Sequence, residues 1–130
     1  MLAKERNTMM NLGRWETTTT AVYASDAVVI HNGNKDARTA FDYREVNLRM
    51  AWDPYPFPSM WDVLQWLVAV PFRFVSGGDA NKGFYQIWIK DPKIRDWLAI
   101  RLPDGIYHPK YMPFGPKTAP SHYCRMMDDM

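Results

Sequence analysis

Cysteine is almost absent from this chain, with Cys124 alone among 130 residues. That excludes an internal disulfide, argues against a cysteine-built zinc site and fits a reducing compartment, leaving Cys124 as an inert helix residue. An excess of either charge is also missing. Sixteen basic and fourteen acidic side chains leave a net charge of +2, so no basic run marks a nucleic-acid surface, and any such surface has to be assembled by folding. Nor is there an apolar run of the roughly 18 to 20 residues that a membrane span needs. The longest candidate, residues 60–75, is broken by Asp62, Gln65, Pro71 and Arg73. The opening MLAKERNTMMN lacks the apolar centre of a signal peptide. Internal repeats are absent, and His31, His108 and His122 show no ligand spacing and read as surface or helix residues. The expectation is one soluble, intracellular domain with no membrane partner.

What is present is a mixture of helical and strand signals. Residues 3–12 combine helix formers with charges and end at Gly13, a helix stop. The threonines at 17–20 read as a linker or edge strand. The β-branched run 27–30, the loop HNGNKDA and residues 38–43 predict a hairpin. Three prolines in DPYPFPS, residues 53–59, require extended backbone. Ser59 then caps a helix with Asp62 in a capping-box position, and Met60, Val63, Leu64, Leu67 and Val68 form one apolar face that reads as core. Asp91-Pro92 starts a short helical turn through Arg95. Residues 97–102 and 106–112 around Pro103-Asp104-Gly105 predict a second hairpin, and a helix with Pro120 in its first turn begins at Ala119. The fold class is α+β, without an internal domain boundary.

Residues 72–89, FRFVSGGDANKGFYQIWI, join these parts. An apolar run meets a lone carboxylate, Asp79, then a polar turn with Gly83, then Phe84 and Tyr85 leading into a second apolar run. This predicts a central strand pair with Asp79 at a strand end, where burial is costly unless a cation or donor meets the carboxylate. Two readings stand open: Asp79 caps the turn, or it binds a metal ion.

Four segments together resemble the reverse transcriptases of gypsy-type long-terminal-repeat retrotransposons. Arg38 with FDYREVN at 41–47 resembles RxxxDYRxLN. PYPFP with its following helix resembles PYPLP. DANKGFYQI at 79–87 resembles DLKSGYWQI, and PDGIYHPKYMPFG with KTAP, ending at Pro120, resembles PDGLYEFTRMPFGLKNAP. The resemblance covers about residues 4–129 and implies the fingers and part of the palm of a right-hand polymerase: about 1–72 and 91–111 mainly fingers, about 73–90 and 112–130 palm.

The implied function is template-directed deoxynucleotidyl transfer on a primed RNA or DNA template, using deoxynucleoside triphosphates and two Mg2+ (or Mn2+) ions about 4 Å apart in the complete domain. On that resemblance Asp79 is the first catalytic aspartate, and the backbone carbonyl of Ala80 is a further metal ligand. Phe84 closes against the sugar and selects deoxynucleotides, Arg38 reaches the triphosphate with paired hydrogen bonds, and Phe114 and Gly115 pack beneath the incoming nucleotide. Lys35 lies near the basic fingertip, while Asp42, Tyr43, Arg44 and Asn47 hold the hairpin and template path.

The sequence departs from that pattern at Gly77-Gly78, at Pro116 and at Thr118. The terminal MMDDM resembles the helix segment RLMDE rather than the YxDD motif, making Asp128 and Asp129 helix carboxylates. The second catalytic motif, the rest of the palm, the thumb and any ribonuclease H region have no counterpart here, so the chain alone is expected to extend no primer. The alternative reading is a non-catalytic retroelement remnant with at most nucleic-acid binding.

Overall fold

Helix α1 (Leu2–Asn11) closes through Gly13, whose φ of +64° lets the chain reverse. The Gly13 amide donates to Met10 and the Arg14 amide to Met9, both at 2.9 Å, so two otherwise orphaned helix carbonyls are satisfied. The computed structural model describes residues 1–32 and 35–130, with side chains at all of these except 32 and 35–37.

The reversed chain enters a mixed five-stranded sheet. Its strands are β1 (Trp15–Thr17), β2 (Ala24–Asn32), β3 (Lys35–Phe41), β4 (Ala99–Leu102) and β5 (Gly105–Pro109), in the order β1-β5-β4-β2-β3. Both expected hairpins form: β2 and β3 place Ala27 opposite Phe41, and β4 and β5 place Ile100 opposite Tyr107. A parallel pairing of β2 with β4, Ser25 opposite Ile100, fuses them, and β1 adds to the β5 edge. The core lies against the middle of this sheet and consists of Met9, Trp15, Tyr43, Val46, Ile89, Leu98, Ile100, Leu102 and Tyr107. Trp15 meets Phe41 edge-on at 5.6 Å, and the buried Tyr43 hydroxyl donates to the Leu98 carbonyl at 2.9 Å. That bond spans 55 residues and joins the first hairpin to the second.

Four more helices accompany the sheet among the described residues. Helix α2 (Arg44–Arg49), which the sequence pattern did not disclose, turns Val46 into the core. The capping box of α3 (Met60–Ala69) is formed: Ser59 Oγ accepts the Asp62 amide at 3.2 Å while the Asp62 carboxylate accepts the Ser59 amide at 3.0 Å. Asp91 caps α4 (Pro92–Trp97), which reaches two residues beyond the expected Arg95 and so begins the second hairpin at Ala99. Helix α5 (Ala119–Asp128) carries Pro120 in its first turn and Cys124 half-buried. No helix is long and apolar enough to cross a membrane among the described residues.

Three expectations need correction. The α3 face expected in the core is exposed, from 39% at Val63 to 86% at Val68. Periodicity identified an apolar face but not a surface to cover it, and none of the described residues buries it. Residues 72–75 form no strand, because a strand needs a neighbour for its backbone groups and this segment has none among the described residues. The return is likewise not a strand at its start: Lys82 takes the left-handed conformation (φ +52°) and residues Gly83–Gln86 wind into a 3-10 turn. Finally, His108 is neither on the surface nor in a helix but buried in β5.

Candidate functional site

The 3-10 turn is positioned by the segment on its C-terminal side. The Ile89 amide donates to the Lys110 carbonyl and the Met112 amide to the Ile87 carbonyl, both at 2.9 Å. Residues 87–89 are therefore zipped antiparallel to 110–112, with Trp88 opposite Tyr111. This lays the turn against the loop Pro113–Lys117 and the first turns of α5. Phe84 meets Phe114 edge-on at 5.2 Å and Tyr123 at 5.7 Å, and Tyr85 meets Phe114 at 5.4 Å. A Cβ at Gly83 would stand 2.6 Å from the Tyr123 ring, so glycine is what permits this approach. Burial pushes the Tyr85 phenol up to about 12, which keeps it neutral.

The loop is held from the other side by Asn47. Its Nδ2 donates to the Gly115 carbonyl at 3.0 Å and its Oδ1 accepts the Lys117 amide at 2.8 Å. Gly115 has φ of +113°, and a Cβ there would lie 2.8 Å from the Tyr43 ring. Tyr43 is buried, and desolvation drives its phenol far above the usual range, so it stays a neutral donor to Leu98. The result is a rigid loop presenting Phe114, 52% exposed, beside the half-buried Phe84. Such an aromatic pair can stack against a flat or cyclic ligand, and the fixed backbone of Gly115 permits close approach.

Other expected site residues lie apart from this cluster. Arg38 is exposed on β3, opposite Ile30. Lys35 starts the same strand, and its side chain lies outside those described. Asp42 is paired with Arg44, whose Nε and Nη2 reach its carboxylate at 2.8 and 2.6 Å and hold it down to about 2. That pair fastens the junction between β3 and α2. Asp79 and Ala80 sit on an exposed stretch without regular structure, not at a strand end. Among the described residues no group of three His, Cys, Asp or Glu side chains could hold a metal ion. The oxygen set that two divalent ions require is therefore not gathered by these residues.

A clamp that sequence reasoning missed ties the proline-rich segment to α5. Arg125 donates two bonds to the Asp53 carboxylate, each 2.5 Å, and stacks over the Tyr55 ring at 4.7 Å. The Tyr55 hydroxyl donates to Asp128, and Ser121 Oγ donates to the Asp53 carbonyl at 3.2 Å. The Arg125 hydrogen bond keeps the Asp53 carboxyl below its ordinary value. Asp128 is thus a helix carboxylate engaged by a tyrosine, in line with the reading of MMDDM as helix. No local signal announced the clamp, because its partners lie 68 to 73 positions apart.

No protein-family model matches the chain. It is similar to the retrovirus-related Pol polyprotein from transposon 412 of Drosophila melanogaster, 33% identical over 97 residues, which is 75% of this chain and 8% of that protein. The Pol polyprotein from transposon gypsy of the same organism is 30% identical over 98 residues, 75% of this chain and 9% of that protein. The putative enzymatic polyprotein of Cassava vein mosaic virus is 28% identical over 110 residues, 82% of this chain and 16% of that protein. The chain therefore spans less than a fifth of each of these relatives. Over most of its length it is an α+β region similar to part of retrotransposon and plant-virus polyproteins.

Proposed function

We propose that this chain is the fingers and first palm portion of an RNA-directed DNA polymerase, and that the Phe84–Phe114 cluster is its deoxynucleotide platform. One observation carries the reading: the loop of Phe114 and Gly115, clamped by Asn47, stands 5.2 Å ring to ring from Phe84. Residues far apart in sequence that match one motif set come together there. In this reading Phe84 lies along the sugar, where a ring leaves no space for a 2′-hydroxyl, and Phe114 and Gly115 support the nucleotide from below. Arg38, exposed at the sheet edge, has the fork geometry to bind phosphate oxygens. Asp42, Arg44 and Asn47 keep the hairpin and loop in register for a template strand.

Two Mg2+ or Mn2+ ions would supply charge neutralisation and hydroxyl activation in the complete polymerase. Asp79 and the Ala80 carbonyl are the groups this chain offers toward them, and they do not by themselves make a two-ion site. The second reading is a nucleic-acid-binding remnant without catalysis.

The test is fluorescence anisotropy with a labelled DNA primer on an RNA template. Binding is expected to tolerate sequence changes and to weaken steeply with salt, and Arg38→Ala is expected to reduce the salt slope. Undetectable or salt-independent binding would contradict both readings. Primer extension with magnesium separates them from a self-sufficient enzyme: the expected result is no extension, and Asp79-dependent extension would show that the chain completes its own metal site.

A further inference from the structure

Away from the aromatic cluster, one histidine is held between two carboxylates from different elements. His108 is 8% exposed. Its Nδ1 lies 2.9 Å from Asp96 Oδ1 in α4, and its Nε2 lies 2.7 Å from Glu16 Oε1 in β1. An ionised carboxylate only accepts, so both contacts are hydrogen bonds only when both ring nitrogens carry protons. A neutral imidazole has one N–H and turns its lone pair toward the other carboxylate. Both carboxyls are held below their ordinary values, with the hydrogen bond from His108 the largest cause for each.

The two carboxylates are not equally provided for. Glu16 also faces Lys110 Nζ at 3.5 Å and Arg95 Nη1 at 3.8 Å, although Arg95 already donates two bonds to the Ile89 carbonyl. Asp96 receives only the hydroxyls of Thr18 and Thr20, at 3.3 and 2.9 Å, besides His108, among the described residues. Its backbone carbonyl accepts the amides of Val22 and Tyr23. Through Asp96 and Glu16, then, the ring fastens residues 16–23, which run from the sheet edge back toward β2, onto α4 and β5.

We propose that Glu16, His108 and Asp96 form a proton-operated latch on the sheet edge. The doubly protonated ring closes it, and loss of one ring proton releases Glu16. The neutral ring keeps its proton for Asp96, which faces no other cation among these partners, while Glu16 retains Lys110 and Arg95. The consequence is local, since β1 is the edge strand and pairs with β5 alone among the described strands. This inference does not depend on the polymerase reading.

The intact chain tests it by nitrogen-15 NMR of the imidazole together with amide hydrogen exchange. Both ring nitrogens of His108 are expected to carry protons wherever the latch is closed. As pH rises and one proton leaves, the Thr18 amide, which donates to the Ile106 carbonyl at 3.1 Å, should exchange roughly tenfold faster than intrinsic pH dependence accounts for, the loss expected for one charge-assisted hydrogen bond. Glu16→Gln supplies an amide that can donate to the neutral ring, so the excess should vanish in E16Q. A ring that stays neutral across the range, or an equal excess in E16Q, would overturn the latch. Should E16Q fail to fold, the ring titration and Thr18 exchange of the unaltered chain still decide: titration without loss of protection overturns it.

Discussion

Adding one methyl group at Gly115 probes whether the site loop is as tightly seated as its geometry states. Two costs combine in Gly115→Ala. A side chain at φ +113°, beyond the left-handed well, is strained by about 1–3 kcal/mol, and the new Cβ would lie 2.8 Å from a Tyr43 ring atom. Tyr43 has little freedom to yield, being 2% exposed and hydrogen-bonded to Leu98, so overpacking adds about 1–3 kcal/mol. The total is about 2–6 kcal/mol. Two other glycines separate these costs. Gly13 has φ +64° and open space around it, so Gly13→Ala meets the strain alone, about 1–2 kcal/mol. Gly77 has no positive φ and nothing within 4 Å, so Gly77→Ala should be neutral or stabilising by about 0.4–1 kcal/mol through the unfolded chain. Urea unfolding with a shared m-value gives the ranking. If Gly115→Ala costs no more than Gly13→Ala within about 0.5 kcal/mol, Tyr43 yields freely and the loop is not packed as described.

Further outcomes follow from other contacts. Tyr43→Phe leaves the Leu98 carbonyl without its 2.9 Å donor and should cost about 1–2 kcal/mol in the same unfolding assay; no change would mean that the two hairpins are not joined there. Val68→Asp, at a position 86% exposed on α3, should leave stability within about 0.5 kcal/mol and raise solubility; a loss of several kcal/mol would mean the helix is covered in solution. Asp42, Glu16 and Asp96 all have folded values below their unfolded ones. Their stabilising contribution is lost as pH falls through the folded values, about 2 for Asp42, and above the ordinary carboxylate range near about 4 it is complete for Asp42 and Asp96, and for Glu16 while the latch is closed. Urea midpoints measured against pH should show that acid limb, and Asp42→Asn should flatten its lowest part.

Local chemistry made much of this fold legible. The β-branched runs on either side of HNGNKDA marked the first hairpin, whose Asn-Gly turn lies outside the described residues; Pro-Asp-Gly marked the second, Ser59 with Asp62 a helix start, and Gly13 a helix end, because each of these is decided by backbone geometry within a few residues. What stayed hidden depends on partners far along the chain. Residues 72–75 have strand composition, but strand formation needs a neighbour that composition does not provide. The α3 pattern disclosed an apolar face without its cover. The two bonds of Asn47 reach across 68 and 70 positions and the two of His108 across 12 and 92, so neither had a local signature. At the site, the motif resemblance singled out Phe84, Phe114, Gly115 and Asn47, which the fold brings together, and also Asp79 and Arg38, which it leaves exposed on other segments. The resemblance makes Tyr43 a fingers position, whereas its role beneath Gly115 is visible only from the close approach at that glycine.

The most direct test of the nucleotide platform is photolabelling with an aryl-azide deoxynucleoside triphosphate and peptide mapping of the product. Label is expected in the peptides containing Phe84 and Phe114, competed by unlabelled deoxynucleotide more effectively than by ribonucleotide, and lost in Phe114→Ala. Label that instead falls on the exposed apolar face of α3, or that ribonucleotide displaces equally well, would contradict the assignment of this cluster to the deoxynucleotide.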